Sequence, residues 1–198
     1  MAEYATDEYR RRFTLAEWER MVDARIFPEN ERLELIRGEV LRTPPFGDRD
    51  APTFVQRHAG CLRRLNHKFN SRLGASAIVD ILSPLPLGEK HSEPRLDLAL
   101  LRFQEDLYSS TPPGPKDILL AIELAGTDLV YGREKKLPLY AEAGIPETWL
   151  VDLSLDSLFV YRRSSSQGYR DILWHRRGAS VSPEAFPDVR FTVDEILG

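Results

Sequence analysis

The chain holds one cysteine, Cys61, among its 198 residues. That excludes an intramolecular disulfide and a cysteine-rich zinc site, and a reducing, cytoplasmic setting is the expectation. No apolar run is long enough to span a bilayer, and the start does not resemble a signal peptide, so no membrane association is expected. An excess of positive charge is missing too. Lys and Arg number 27 against 31 Asp and Glu, a net charge of −4, which does not advertise a polyanion ligand. There is no Gly-rich phosphate loop, no HExxH and no GxSxG, so nucleotide-binding, zinc-protease and serine-hydrolase readings lack support. His58, His67, His91 and His175 are scattered, and each reads as a surface or packing histidine. No internal repeat or low-complexity tract appears.

What is present fits an ordinary globular protein with a core of its own: 42% hydrophobic and 29% charged residues. Residues 1–12 are polar and unpatterned and read as a loose arm, leaving 13–198 as a single domain. Thr14-Leu15-Ala16-Glu17 is a capping box that predicts a helix to about Ala24. Arg32 to Arg42 alternates around Arg37-Gly38, as a strand pair does. Residues 43–53 read as a loop. From Phe54 to Leu73 apolar residues recur every three or four positions, Cys61 among them, before Gly74 supplies a stop. Strands are predicted near Ala75–Leu82, Leu96–Phe103 and Asp117–Leu124, the last apolar on both faces. Tyr131 to Ala143 reads as a helix that Pro138 must kink or delay. Glu147–Leu153 and Ser157–Arg162 suit a hairpin, Tyr169–His175 another strand, and Thr192 to Glu195 a second capping box. The alternation argues for one α/β domain, a central mixed sheet flanked by helices, with the C-terminal hairpin extending or covering it.

Three acids fall on strands among apolar neighbours: Glu39, Asp97 and Glu123. Such carboxylates need a cationic or hydrogen-bonding partner. If Asp97 and Glu123 lie on neighbouring strands, they could converge on one hard cation such as magnesium; ordinary salt bridges are the plainer alternative. Between Phe54 and Leu73 the charged residues are Arg57, Arg63, Arg64, Lys68 and Arg72, with no acid. That is the local basic face a nuclease needs, and equally what a solvated helix shows.

The residues Phe13–Glu17, Glu31–Val40, His58, Ser92–Leu101 and, most densely, Asp117–Glu147, in that order, resemble the Uma-two family of restriction endonucleases within the PD-(D/E)XK nuclease superfamily. The resemblance implies a restriction-endonuclease-like fold with a metal-dependent phosphodiesterase site acting on DNA. By position it makes Asp97 and Glu123 the metal-binding acids, with Mg2+ as cofactor and Mn2+ as a substitute. Lys136, on the following helix, becomes the lysine that polarises the attacking water, because Ala125 occupies the motif's usual lysine position. Glu39 matches a further family acid. Arg57, Arg64 and Lys68 are then the expected phosphate contacts, and a homodimer would suit cutting of both strands. Leu96, Leu82 and Gly132 stand where relatives carry proline, glutamine and aspartate, and Gly126-Thr127-Asp128 replaces their usual turn. Leu96 replaces a proline that does backbone work only, whereas Gly132 and Leu82 favour the alternative, a nuclease-fold domain that binds nucleic acid or a protein without cutting.

Overall fold

In the computed structural model, which describes residues 10–29, 31–42, 51–126 and 129–198, Thr14 caps helix α1 (Leu15–Asp23) as its spacing predicts. Its hydroxyl accepts from the Glu17 N–H at 3.2 Å, and the Glu17 carboxylate accepts from the Thr14 N–H at 2.9 Å. The helix belongs to the smaller of two compact units, Met1–Thr43 with Pro86–Pro94. Within this unit Trp18 is buried, tilts against Phe27 and donates to Glu93 Oε1 at 2.8 Å. Strands β1 (Leu33–Ile36) and β2 (Glu39–Arg42) pair antiparallel across Arg37-Gly38. Both turn residues have positive φ, 51° and 79°, which a tight hairpin demands and glycine tolerates best.

The larger unit, Pro44–Leu85 with Arg95–Gly198, is built on a six-stranded sheet. Helix α2 (Ala51–Leu73) precedes β3 (Ala77–Ile81) and β4 (Leu98–Arg102). It starts at Ala51, ahead of the predicted Phe54, and ends at Gly74 with φ +53°. The remainder of the predicted loop before it, 43–50, lies outside the described residues, as do residues 1–9 of the predicted arm. Next come β5 (Ile118–Ala125), a crossover helix, β6 (Glu147–Asp152), β7 (Ser157–Ser165) and β8 (Gly168–Arg176). Their order across the sheet follows the chain, β3-β4-β5-β6-β7-β8. Only β5 and β6 run parallel, because the helix between them carries the chain back; the other neighbours are antiparallel. The C-terminal hairpin extends the sheet. A short pair, β9 (Ser180–Val181) with β10 (Phe191–Thr192), has too few residues to show in the sequence pattern.

One face of the sheet is covered by the apolar stripe of α2. Cys61, Leu65 and Phe69 pack there on Leu98, Leu120, Ile122, Trp149 and Val160, joined by Phe191 and by α5 (Val193–Leu197) with its Thr192 capping box. The other face is covered by the crossover helix, whose three segments are α3 (Leu129–Tyr131), a widened turn over Gly132–Lys136, and α4 (Leu137–Glu142). In the widened turn the Leu137 N–H reaches the Gly132 carbonyl, one residue further than in an α-helix. It lies just before Pro138, whose ring and missing N–H disfavour a regular turn there.

At the end of β5, Gly126 lies against the Phe54 ring. An added Cβ would sit 2.1 Å from Phe54 Cε2. Gly126→Ala must therefore push the ring out of its place over the strand end. A loss of about 1–3 kcal/mol in denaturant unfolding is the expected outcome of such overpacking, and an unchanged midpoint would show that the ring relocates freely.

Candidate active site

Every residue of β5 except the half-buried Leu119 is buried, so a carboxylate in it must find donors inside the protein. Glu123 finds two. Lys136 Nζ donates to Oε2 at 2.7 Å and Tyr140 Oη to Oε1 at 2.6 Å. Both side chains come from the crossover helix, one turn apart, which sets them over the same stretch of strand. Lys136 donates again, to the Arg95 carbonyl at 2.6 Å. That second bond ties the ammonium to the segment entering β4.

Asp97 ends that segment. Leu98 pairs with Ile122, so continuing the antiparallel ladder brings Asp97 beside Glu123. Its Oδ2 accepts the Leu124 N–H at 2.8 Å, and its Oδ1 lies 3.2 Å from His58 Nε2 on α2. The side chain keeps 13% exposure, whereas those of Glu123 and Lys136 keep 8% and 6%, so Asp97 is the member nearest to water.

The two acids respond to burial in opposite ways. Burial pushes Glu123 up to about 8, and Asp97 adds to the rise, while the Lys136 ammonium and Tyr140 hydroxyl only partly offset it. For Asp97 burial also acts upward. The hydrogen bond and charge of His58, the Lys136 charge and the Leu124 N–H outweigh it and hold the carboxyl below the usual aspartate range. Two neighbouring carboxylates, one tending to keep its proton and one to lose it, form an asymmetric pair.

The structure thus brings together Asp97, Glu123 and Lys136. Sequence reasoning missed His58 and Tyr140. The signal for His58 was its place on the apolar stripe of α2, and for Tyr140 its position one turn after Lys136. Glu39 lies on β2 of the other unit, half-buried, with Arg10 at 3.5 Å. The cations of α2 already have protein partners: Arg57 binds Asp156, Arg64 holds the carbonyls of Ile196 and Leu197, and Lys68 meets Glu195 at 3.1 Å. A phosphate would have to compete for them.

The departures from the motif also have places. Ala125 is buried against Leu137 and Leu150. Leu82 takes φ +55° and donates its N–H to the Asp97 carbonyl at 3.0 Å. Gly132 is buried, and a Cβ there would meet Leu150, the cross-strand neighbour of Glu123, at 3.5 Å. An aspartate at that position would point its charge at this row. Thr127 and Asp128 lie outside the described residues.

A family model, Uma2, with the description "Putative restriction endonuclease", matches residues 15–194. The fold is similar to the crystal structure of "a putative nuclease belonging to DUF820" from Anabaena variabilis, with a TM-score of 0.67 at 16% identity over 93% of this chain and 97% of that one. No curated protein matches.

Proposed function

This chain belongs to the Uma2 family, and from that premise we propose that Asp97 and Glu123 hold one divalent cation, magnesium with manganese as a substitute, for the hydrolysis of DNA phosphodiester bonds. The observation that supports the reading is the buried Glu123–Lys136 pair set beside Asp97. Stability alone does not account for it: removing a lysine and an acid together for apolar residues is often neutral or stabilising. The donor set fits the ion. Magnesium is held by one or two carboxylates and keeps several waters, and this site offers two carboxylates with Asp97 nearest to water.

A bound cation supplies an acidified water and stabilises charge on the phosphate. The protein's own groups do the rest. His58 and the Leu124 N–H fix the Asp97 carboxylate and keep it ionised. Tyr140 fixes Glu123 from the other side and is a positioning residue, as is His58. Lys136 carries the positive charge that would orient the attacking water and offset charge growing on the phosphate oxygens.

A second reading, binding without cutting, is favoured by Gly132, a buried position that supplies no carboxylate where relatives carry an aspartate. Manganese titration of metal-free protein by calorimetry separates the two. One ion per chain is expected for the wild type, with affinity reduced by more than about 100-fold in Asp97→Asn, beyond the roughly 10- to 100-fold that outer partners of a metal site typically contribute. Equal affinity in both proteins would remove Asp97 from any metal site, and no binding at all would favour the non-cutting reading.

A further inference from the structure

Glu123 begins a row of side chains that runs across the sheet to its edge. It lies beside Leu150 on β6, Leu150 opposite Phe159 on β7, and Phe159 opposite Trp174 on β8. The row ends in rings and guanidinium groups. Phe159 and Trp174 stack with centroids 6.1 Å apart and planes 8° from parallel. Arg133 caps Phe159 at 4.2 Å, and Arg176 lies 3.9 Å over Trp174. Arg133 belongs to the same widened turn that sends Lys136 back to Glu123, so one turn of helix reaches both Glu123 and the Phe159 ring.

We propose that this ladder, Arg133–Phe159–Trp174–Arg176, is the seat of an unpaired nucleic-acid strand leading to the Glu123 site; the inference rests on the nuclease reading above. Three observations carry it. Trp174 is 51% exposed on an edge strand, with Ile172 beside it at 58%, so the part of the indole that Phe159 and Arg176 leave open faces water. Arg133 and Arg176 form no ion pair among the described residues, unlike Arg57, Arg163 and Arg177, which all hold carboxylates. In a chain of net charge −4, two cations left for an outside anion on aromatic faces are matched to phosphate and base together. An intact duplex hides its base faces, so only an unpaired segment can use the indole.

Intrinsic fluorescence tests this directly. Trp18 and Trp149 are buried at 4% and 0% exposure, which leaves Trp174 as the indole that a solute can reach. In chelator, so that cleavage plays no part, a short single-stranded thymidine oligonucleotide is expected to quench the solvent-exposed emission. Trp174→Ala should weaken its binding, read by anisotropy of the labelled strand, by about 5- to 150-fold. Trp174→Phe should keep part of the affinity, because a ring remains, and Arg176→Ala should lower the log–log salt slope by about 0.7. Strand affinity unchanged in Trp174→Ala and Arg176→Ala would overturn the inference and leave the nuclease reading standing. Wild-type protein that binds neither strand nor duplex would overturn both. If Trp174→Ala instead dissociates a dimer in sedimentation while strand affinity holds, the face joins two copies of this chain and the inference falls.

Discussion

Lys136→Met is expected to remove magnesium-dependent cleavage of plasmid DNA, by about 10²- to 10³-fold, the loss typical of one preorganised charge at a reacting centre. The variant should nevertheless fold. Removing one partner of a buried ion pair ordinarily costs about 3–5 kcal/mol, because the other charge is stranded. Here the stranded group is a carboxyl that burial already holds near 8, so at neutral pH it takes a proton in place of the ammonium. The Tyr140 hydrogen bond to Oε1 remains available to the protonated acid. Metal binding must then displace that proton, so the variant's affinity should rise with pH, while loss of the ammonium removes a repulsion on the ion. Cleavage and manganese calorimetry on one preparation check both halves. Cleavage that survives would place the reaction elsewhere or in a contaminant. An inactive wild type, across several metals and DNA forms, would instead favour the non-cutting reading that Gly132 already invites.

The metal-free protein is expected to lose stability as pH rises from about 4.5 to about 8, and Glu123→Gln to flatten that loss. The sign follows from proton counting. The folded-state value of Glu123, about 8, lies above its ordinary 4.5, so between them the native state holds a proton that the unfolded chain has released. The contribution is whole below about 4.5 and gone above about 8, at a slope of up to about 1.4 kcal/mol per pH unit. Asp97 works in the opposite sense and in another window. Its folded value is depressed, so its contribution is present above 3.8 and fades only as pH falls through the depressed value. Within the Glu123 window Asp97 therefore adds no slope. Urea unfolding at half-unit intervals in chelator, wild type beside Glu123→Gln, measures the difference. Parallel curves would mean that Lys136 keeps Glu123 ionised throughout and that burial does not dominate the site.

Several features of this molecule were determined by short stretches of sequence. Thr14 and Thr192 cap their helices because Glu follows each at the spacing where a side chain can reach back. Arg37-Gly38 turns the hairpin because glycine takes the second positive φ without a Cβ clash. The stripe from Phe54 to Leu73 and the two-sided apolar run of β5 announced α2 and a central strand, since burial periodicity is a local property. Asp97 and Glu123 stood out by their apolar neighbours along the chain, because a carboxylate buried among such residues is costly without a partner. The family resemblance added Lys136.

What only the tertiary structure decided is who meets whom. Of three cations on one turn of the crossover helix, Lys136 alone is buried, because the widened turn before Pro138 rotates it inward and leaves Arg133 and Lys135 at the surface. His58 reads as a packing residue until α2 is laid on the sheet with Asp97 beneath it. Arg57, Arg64 and Lys68 read as a phosphate-binding face until Asp156, Glu195 and the last carbonyls of α5 arrive from the far end of the chain. The row from Glu123 to Trp174 crosses four strands, and no window of sequence contains it. Period and capping are set by neighbours along the chain. Pairing across a sheet is set by register, which the burial of whole faces fixes at once.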